Sequence, residues 1–428
     1  MTERVLLVGG GGREHAIADA LAPDCDLYAC ASNRNPGVDR LAEEFRALDP
    51  SDPDAVVEYA EDVEATLVVV GPEGPLDAGV VDALEDAGIY AFGPKQAEAR
   101  IETDKTFQRE FMAEADVPGQ AGFETFTDAE AAADYVENVE GDVAVKPAGL
   151  TGGKGVRVTG DQVTKAEAAD YVRTAGHDEW VIEERLVGEE ITVQALIANG
   201  EFRATPVAHD HGRAYEDDEG PNTGGMGSIA GPEKLLPFVT EAEYEAALET
   251  IDAVVEGLPD YRGVLYGQFM LTPEGPKVVE FNARFGDPEA MNTLPAMETP
   301  LLDVLTAARD GNPLPELTFA EVATVCKYAV PEGYPTNPEG GVRLTIDESS
   351  VGDARLFYAS VDAREDGVYT TTSRSFAVVG SGETLAEANA QAEAALTDLP
   401  DGVRVRHDIG SEELLQRRID HLAELRGE

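Results

Sequence analysis

Three short apolar runs in the first hundred residues each stop at a glycine turn. Arg4–Val8 (RVLLV) ends at Gly9–Gly12, 65–70 (ATLVVV) at Gly71-Pro72-Glu73, and 88–92 (GIYAF) at Gly93-Pro94. Segments of helical spacing lie between them, beginning with 13–21. Strands alternating with helices pack as a doubly wound parallel sheet. That architecture is the expectation for residues 1–101.

The first turn follows a strand and opens a helix, where free backbone N–H groups favour an anion. It fails as a dinucleotide site. Arg13, Glu14 and His15 stand where G-x-G-x-x-G needs its later glycines, and Cys30-Ala31-Ser32 replaces the ribose-binding acid. Gly10, Gly11 and Gly12 beside the fixed charge of Arg13 suit a single phosphate, with a purely structural turn as the alternative.

A second glycine segment reads DVAVKPAGLTGGKGVRV, Asp142 to Val158. A P-loop needs four residues between its first glycine and Gly-Lys, then Ser or Thr. Here Gly149 is followed by three, glycine follows Lys154, and the segment runs into a strand instead of a helix. The expectation is a flexible hairpin folding over a bound triphosphate. Lys146 would reach it from the strand end and Lys154 from the tip, the glycines allowing close approach and closure. A structural turn with two solvated lysines is the bland alternative. Downstream, the strand 180–184 breaks into a connector that can offer backbone groups to an adenine. Leu186 would lie against the ring and Glu190 would accept from ribose hydroxyls.

Further on, 264–271 and 276–282 read as a hairpin. Glu280 and Asn282, two apart on its second strand, face the same way, and Gln268 sits on the first. Oxygen donors from Gln, Glu and Asn suit Mg²⁺ or Mn²⁺ bridging triphosphate oxygens. Arg284 follows on the same side and can steady phosphoryl charge. Between these regions, 209–231 reads as a polar loop holding His209-Asp210-His211 and Thr223-Gly224-Gly225-Met226-Gly227. It is either substrate-facing or plain surface; His-x-His finds no third zinc ligand nearby. Past Pro313 the texture shifts to short β segments followed by helices at 384–396 and 411–426. Boundaries near 101 and 322 divide the chain into an α/β domain (1–101), a central α+β domain (102–322) and a smaller C-terminal α+β domain (323–428).

Charge bounds the partners. The chain carries 84 acidic against 32 basic residues, a formal −52, with eight lysines against 24 arginines. Such a field repels nucleic acid and anionic membranes. With 43% hydrophobic residues and clear periodicity the chain is globular, not disordered. The charge fits a halophilic protein working in molar salt, where the Debye length is ~3 Å. No apolar run spans a bilayer or forms a signal peptide, so a cytoplasmic location is expected. Cys25, Cys30 and Cys326 are expected to be ordinary reduced thiols.

Taken together, VGGGGREHA, KPAGLTGGKGV, HDH…GPNTGGMG and EFNARFGDPE resemble the ATP-grasp superfamily, and within it the phosphoribosylamine–glycine ligase family. The resemblance runs across nearly the whole chain. It implies that 102–322 is an ATP-grasp domain. It also implies an ATP-dependent ligation of glycine to 5-phosphoribosylamine through glycyl phosphate, in de novo purine biosynthesis. By the resemblance, Lys105, Lys146 and Lys154 meet the ATP phosphates, while Glu183, Leu186 and Glu190 hold adenosine. Glu280 and Asn282 are the metal ligands, with Gln268 in a third position. Gly10–Arg13 and Gly71–Glu73 lie on the phosphoribosylamine side. Asp210 and Arg284 take catalytic places beside Thr223, Gly224 and Gly225 on the substrate side. A monomer or weak dimer is expected. Three positions depart from the family pattern: Gly212 replaces a lysine, Ala290-Met291-Asn292 a Gln-containing element, and Thr372-Ser373-Arg374 a Ser-Gly-Gly-Arg element.

Rival readings are another ATP-grasp ligase or carboxylase, a nicotinamide-dependent oxidoreductase resting on the N-terminal fold alone, and a non-catalytic nucleotide-binding regulator.

Overall fold

The computed structural model describes residues 2–150, 155–346 and 348–427. The N-terminal region is a five-stranded parallel sheet in the order Glu44–Ala47, Asp26–Ala31, Arg4–Val8, Leu67–Val70, Ala91–Phe92. Its central strand pairs on both edges, which is why Val5 to Val8 are fully buried. Two of its strands escape the sequence reading. DLYACA and EFRA carry Asp, Glu or Arg within four to six residues, so neither reads as a buried run. Pairing with the neighbouring strand imposes their conformation.

A four-stranded antiparallel sheet follows, ordered Phe123–Phe126, Trp180–Glu184, Val143–Pro147, Arg157–Val158. The helices Ala129–Asn138 and Lys165–Thr174 pack on it. Val136, Val145, Val172 and Trp180 belong to a core cluster separate from the main one. The glycine segment joins the last two strands of that order. Its Lys154 lies outside the described residues.

The third sheet has ten strands. Its main path runs Gly275–Asn282, Gly263–Thr272, Glu189–Ala198, Ala208–Asp210, Gly227–Ala230, Ala323–Pro331, Phe376–Gly382, Arg355–Tyr358. One sheet therefore continues across position 322, where the sequence changes texture. The stretch 209–231, expected as a loop, corrects to three strands and the end of a fourth, Ala208–Asp210. Arg213–Tyr215 and Glu219–Asn222 form a ribbon, and Gly227–Ala230 is clasped between two long neighbours. Composition hides this last strand because Gly227 is there for contact: a Cβ at its position would stand 2.2 Å from the Cys326 carbonyl oxygen. Among the described residues, no helix is long and apolar enough to cross a membrane.

Candidate active site

A cavity of about 920 Å³ lies where the three sheets meet. Of the residues given a site role from the sequence, its wall takes in all but Gly12, Gly71, Lys154 and Gly225. Lys154 lies outside the described residues. Gly12 faces the Tyr328 hydroxyl, and Gly225 supports Asp210 from behind.

One end is built around Glu183, buried on the strand Trp180–Glu184. Its carboxylate accepts a fork from Arg109, Nε at 2.8 Å and Nη2 at 2.9 Å, and from Lys146 Nζ at 2.8 Å. Arg109 Nη2 also donates to the Val279 carbonyl at 2.7 Å, and Lys146 to the same carbonyl at 3.0 Å. Burial pushes the Glu183 carboxyl upward, but the two cations outweigh it and hold it below its ordinary value. Its side chain is thus engaged with cations inside the protein, and its backbone is what this segment leaves for other contacts. Arg109 was missed from sequence. It stands four residues after Lys105 on the helix Lys105–Glu114, so the two share a face. Lys105 itself donates to the Gly149 carbonyl at 3.0 Å, at the start of the glycine segment. Burial holds its ammonium below the ordinary lysine value, with the Glu280 charge opposing.

The hairpin forms one side wall. Gln268 pairs directly with Glu280 in register, and Asn282 Nδ2 donates to Glu280 Oε1 at 3.1 Å. Gln268 Nε2 donates to Glu190 Oε2 at 2.8 Å, leaving its carbonyl oxygen for another partner. The donor set is one carboxylate and two amide oxygens. Among the described residues, no cluster of three or more His, Cys, Asp or Glu could hold a metal. Such a set fits Mg²⁺ or Mn²⁺ only with substrate oxygens and water completing the shell, the usual habit of Mg²⁺ at phosphates.

The opposite end carries more acid. Arg284 Nη2 pairs with Glu102 at 2.9 Å and its Nε with Glu73 at 3.4 Å. Glu102, also missed from sequence, is buried and accepts from the Ala283 amide at 2.7 Å. Burial lifts its carboxyl to about 7 despite the Arg284 charge. The glycine turn holds its own anion. Glu14 Oε2 accepts from Gly11 N at 2.6 Å, and Oε1 takes Arg13 Nε at 2.6 Å. The charge of Arg13, expected to be available beside the turn, is therefore already paired.

Asp210 faces the cavity. Its Oδ1 is shielded from solvent and has no hydrogen-bond partner. Burial, then the Glu289 charge, hold its carboxyl well above the ordinary range. The approach of Gly225 requires glycine: φ is +100°, and a Cβ would stand 2.8 Å from Asp210 Oδ1. Thr223 Oγ1 accepts from Gly225 N at 3.1 Å. Arg374, from the C-terminal region, donates to the Gly225 and Asp287 carbonyls at 3.1 and 2.9 Å, and also to that of Gly224. Of the departures, Gly212 and Ser373 line the cavity. Met291 and Asn292 do not: both are buried, with Asn292 bonded to Ser228 and Thr324.

A glycine-hairpin sheet facing a Glu–Asn hairpin across a nucleotide-sized cavity defines an ATP-grasp protein. Solved structures share the fold. The biotin carboxylase domain of Hydrogenobacter thermophilus 2-oxoglutarate carboxylase superposes with a TM-score of 0.75 at 17% identity, covering 99% of this chain and 98% of that one. Within this class, three models of the phosphoribosylglycinamide synthetase family match in order: the N domain over residues 3–102, the ATP-grasp (A) domain over 103–290 and the C domain over 324–412. The chain belongs to that family. It is 48% identical over 447 residues to phosphoribosylamine–glycine ligase of Methanopyrus kandleri, covering 99% of this chain and 100% of the relative. It is likewise 48% identical over 433 residues to that of Methanococcoides burtonii, covering 99% of each. The crystal structure of phosphoribosylamine–glycine ligase from Thermotoga maritima superposes with a TM-score of 0.80 at 26% identity, covering 95% of this chain and all of that one.

Proposed function

We propose that the chain ligates glycine to 5-phosphoribosylamine with ATP, giving glycinamide ribonucleotide, ADP and phosphate in de novo purine biosynthesis. The observation that carries this reading is the shared cavity. One wall joins Lys146, Glu280 and Asn282 to Gly10, Gly11 and Arg13 of the turn and to Asp210, which supports a reading in which two substrates and a nucleotide share one space. Relatives of that name, 48% identical over the full length, support it.

A glycine carboxylate oxygen attacks the γ-phosphorus, the bond from that phosphorus to the β-bridging oxygen breaks, and ADP leaves. The amine of phosphoribosylamine then attacks the acyl carbon. The carbon–oxygen bond to phosphate breaks, and the amine proton leaves with solvent or phosphate. Lys105 and Lys146 line the cavity and would offset the triphosphate charge, a role the family resemblance also gives to Lys154. Leu186 and the backbone after Glu183 take the adenine, and Glu190 the ribose. Gln268, Glu280 and Asn282 would hold Mg²⁺ or Mn²⁺, which would supply neutralisation of phosphate charge. Asp210, a carboxyl in the cavity wall, suits the glycine ammonium, beside Thr223, Gly224 and Gly225. Arg284, Glu73 and the turn lie on the phosphoribosylamine side.

ADP release tests the reading. It should require Mg²⁺, glycine and freshly generated phosphoribosylamine together; release without either substrate rejects it. The remaining assignments are a cytoplasmic monomer or weak dimer with no nucleic-acid or membrane partner. We also read the −52 charge as halophilic: dialysis into low salt should abolish the far-UV dichroism of the fold, and an unchanged spectrum rejects the idea.

A further inference from the structure

The C-terminal helix Glu412–Arg426 begins where the matched C domain ends, at residue 412. It still reaches the cavity. Arg418 is part of the wall, and its Nη1 donates to Glu189 Oε2 at 2.6 Å. His421, one turn on, meets the other oxygen of that carboxylate at 2.5 Å. Arg418 Nη2 donates to Asp218 Oδ2 at 2.7 Å, and Asp218 also accepts from the buried Arg406 at 2.9 Å. Asp217 and Asp218 both hold left-handed backbone, with φ 62° and 57°, a conformation that persists only where neighbours impose it.

Arg418 therefore ties two elements together: the start of the strand Glu189–Ala198 and the turn of the ribbon 213–222. Glu190 is the next residue on that strand. Adjacent side chains leave a strand on opposite faces, so holding Glu189 fixes the roll of the strand and the aim of Glu190. Glu190 is further held from the hairpin by Gln268 at 2.8 Å, and its carbonyl meets His209 Nδ1 at 2.6 Å.

We propose that Arg418 is a positioning residue for the nucleotide: by clamping Glu189 to Asp218 it sets the orientation in which Glu190 meets the ribose hydroxyls. This rests on the ligase reading for what Glu190 contacts. The clamp makes the C-terminal helix part of the nucleotide site, although no atom of that helix need touch ATP.

Calorimetric titration of the full chain with ADP, alongside steady-state kinetics, tests it. Arg418→Met should raise the ADP Kd and the KM for ATP about tenfold, with kcat and the KM for glycine held within about twofold. Arg418→Lys, which keeps the charge but not the planar fork, should recover to within about threefold of wild type. Arg417→Met removes a neighbouring ion pair, to Asp217 at 2.7 Å, away from the cavity, and should leave ADP binding unchanged. An unchanged ADP Kd in a folded Arg418→Met protein overturns the proposal, as does an equal rise in Arg417→Met. If Arg418→Met does not fold, His421→Gln decides: about a threefold rise in Kd supports the clamp, and none overturns it. Failure of the ligase reading looks different, as a wild-type protein that binds ADP but does not release it from ATP in response to both substrates.

Discussion

The two ends of the cavity treat charge in opposite ways. At the Lys146 end, two cations share one carboxylate, Glu183. At the Arg284 end, two carboxylates, Glu73 and Glu102, share one guanidinium, while Arg13 and Glu14 cancel each other. The first end has positive charge left for an incoming polyphosphate. The second has acid to spare: burial, with the Glu73 charge adding to it, lifts the Glu102 carboxyl to about 7 despite Arg284. Charge of both signs is buried at each end, so the contrast lies in the ratio and not in burial.

The strongest test of the contrast is Glu280→Ala, on the wall between the ends. Turnover should fall about 10³-fold with the fold intact by circular dichroism, the scale of several kcal/mol of transition-state stabilisation. Unchanged turnover would remove the hairpin from the chemistry.

At the cation-rich end, Lys146→Met should lower kcat/KM for ATP about 10²-fold while the fold survives, because Glu183 keeps Arg109. Glu183→Gln should do the reverse. It leaves two buried cations without their anion and should cost about 3–5 kcal/mol in urea unfolding. If the two variants lose stability equally, the surplus-charge picture is wrong.

At the acid-rich end the expected effect is smaller and depends on pH. Glu102 binds its proton more tightly folded, at about 7 against an ordinary 4.5. Its contribution to stability therefore falls as pH rises from the lower value to the higher, and the loss is complete above both. Glu102→Gln lacks this term, so between pH 5 and pH 8 it should gain about 1–3 kcal/mol relative to wild type. A pH-independent difference would place the Glu102 pKa elsewhere. The smallest change is expected from Glu14→Gln. Freeing the turn of its resident anion should lower the KM for phosphoribosylamine roughly two- to fivefold, the worth of one charge at a helix N-terminus. A raised KM would mean that Glu14 serves the substrate and does not compete with it.

What could be read before folding follows from range. Lys146, Glu280 and Asn282 were legible because a strand's period of two orients them within a few residues. Glu102, Arg109 and Arg418 were not. Each sits on or beside a helix among many charged residues, and its partner lies tens to hundreds of positions away, as with Arg109 and Glu183 or Arg418 and Glu189. A signal existed for Arg109, one turn after Lys105 on the same face. Glu14 stands in plain view inside GGGGREH, where it breaks a glycine pattern; in the fold it fills the turn. The fold divides similarly. The run RVLLV announced itself, whereas EFRA and GSIA became strands only through their neighbours.

The continuity of the ten-stranded sheet bears on how this protein can be taken apart. Gly227–Ala230 has Ala208–Asp210 on one edge and Ala323–Pro331 on the other. A chain cut at 322 would bare a sheet edge in the middle of the molecule, with a row of amides and carbonyls ready to recruit a stranger's strand. The C-terminal quarter is thus no detachable module, and fragments meant to isolate the nucleotide site should be built to keep residues 323–331.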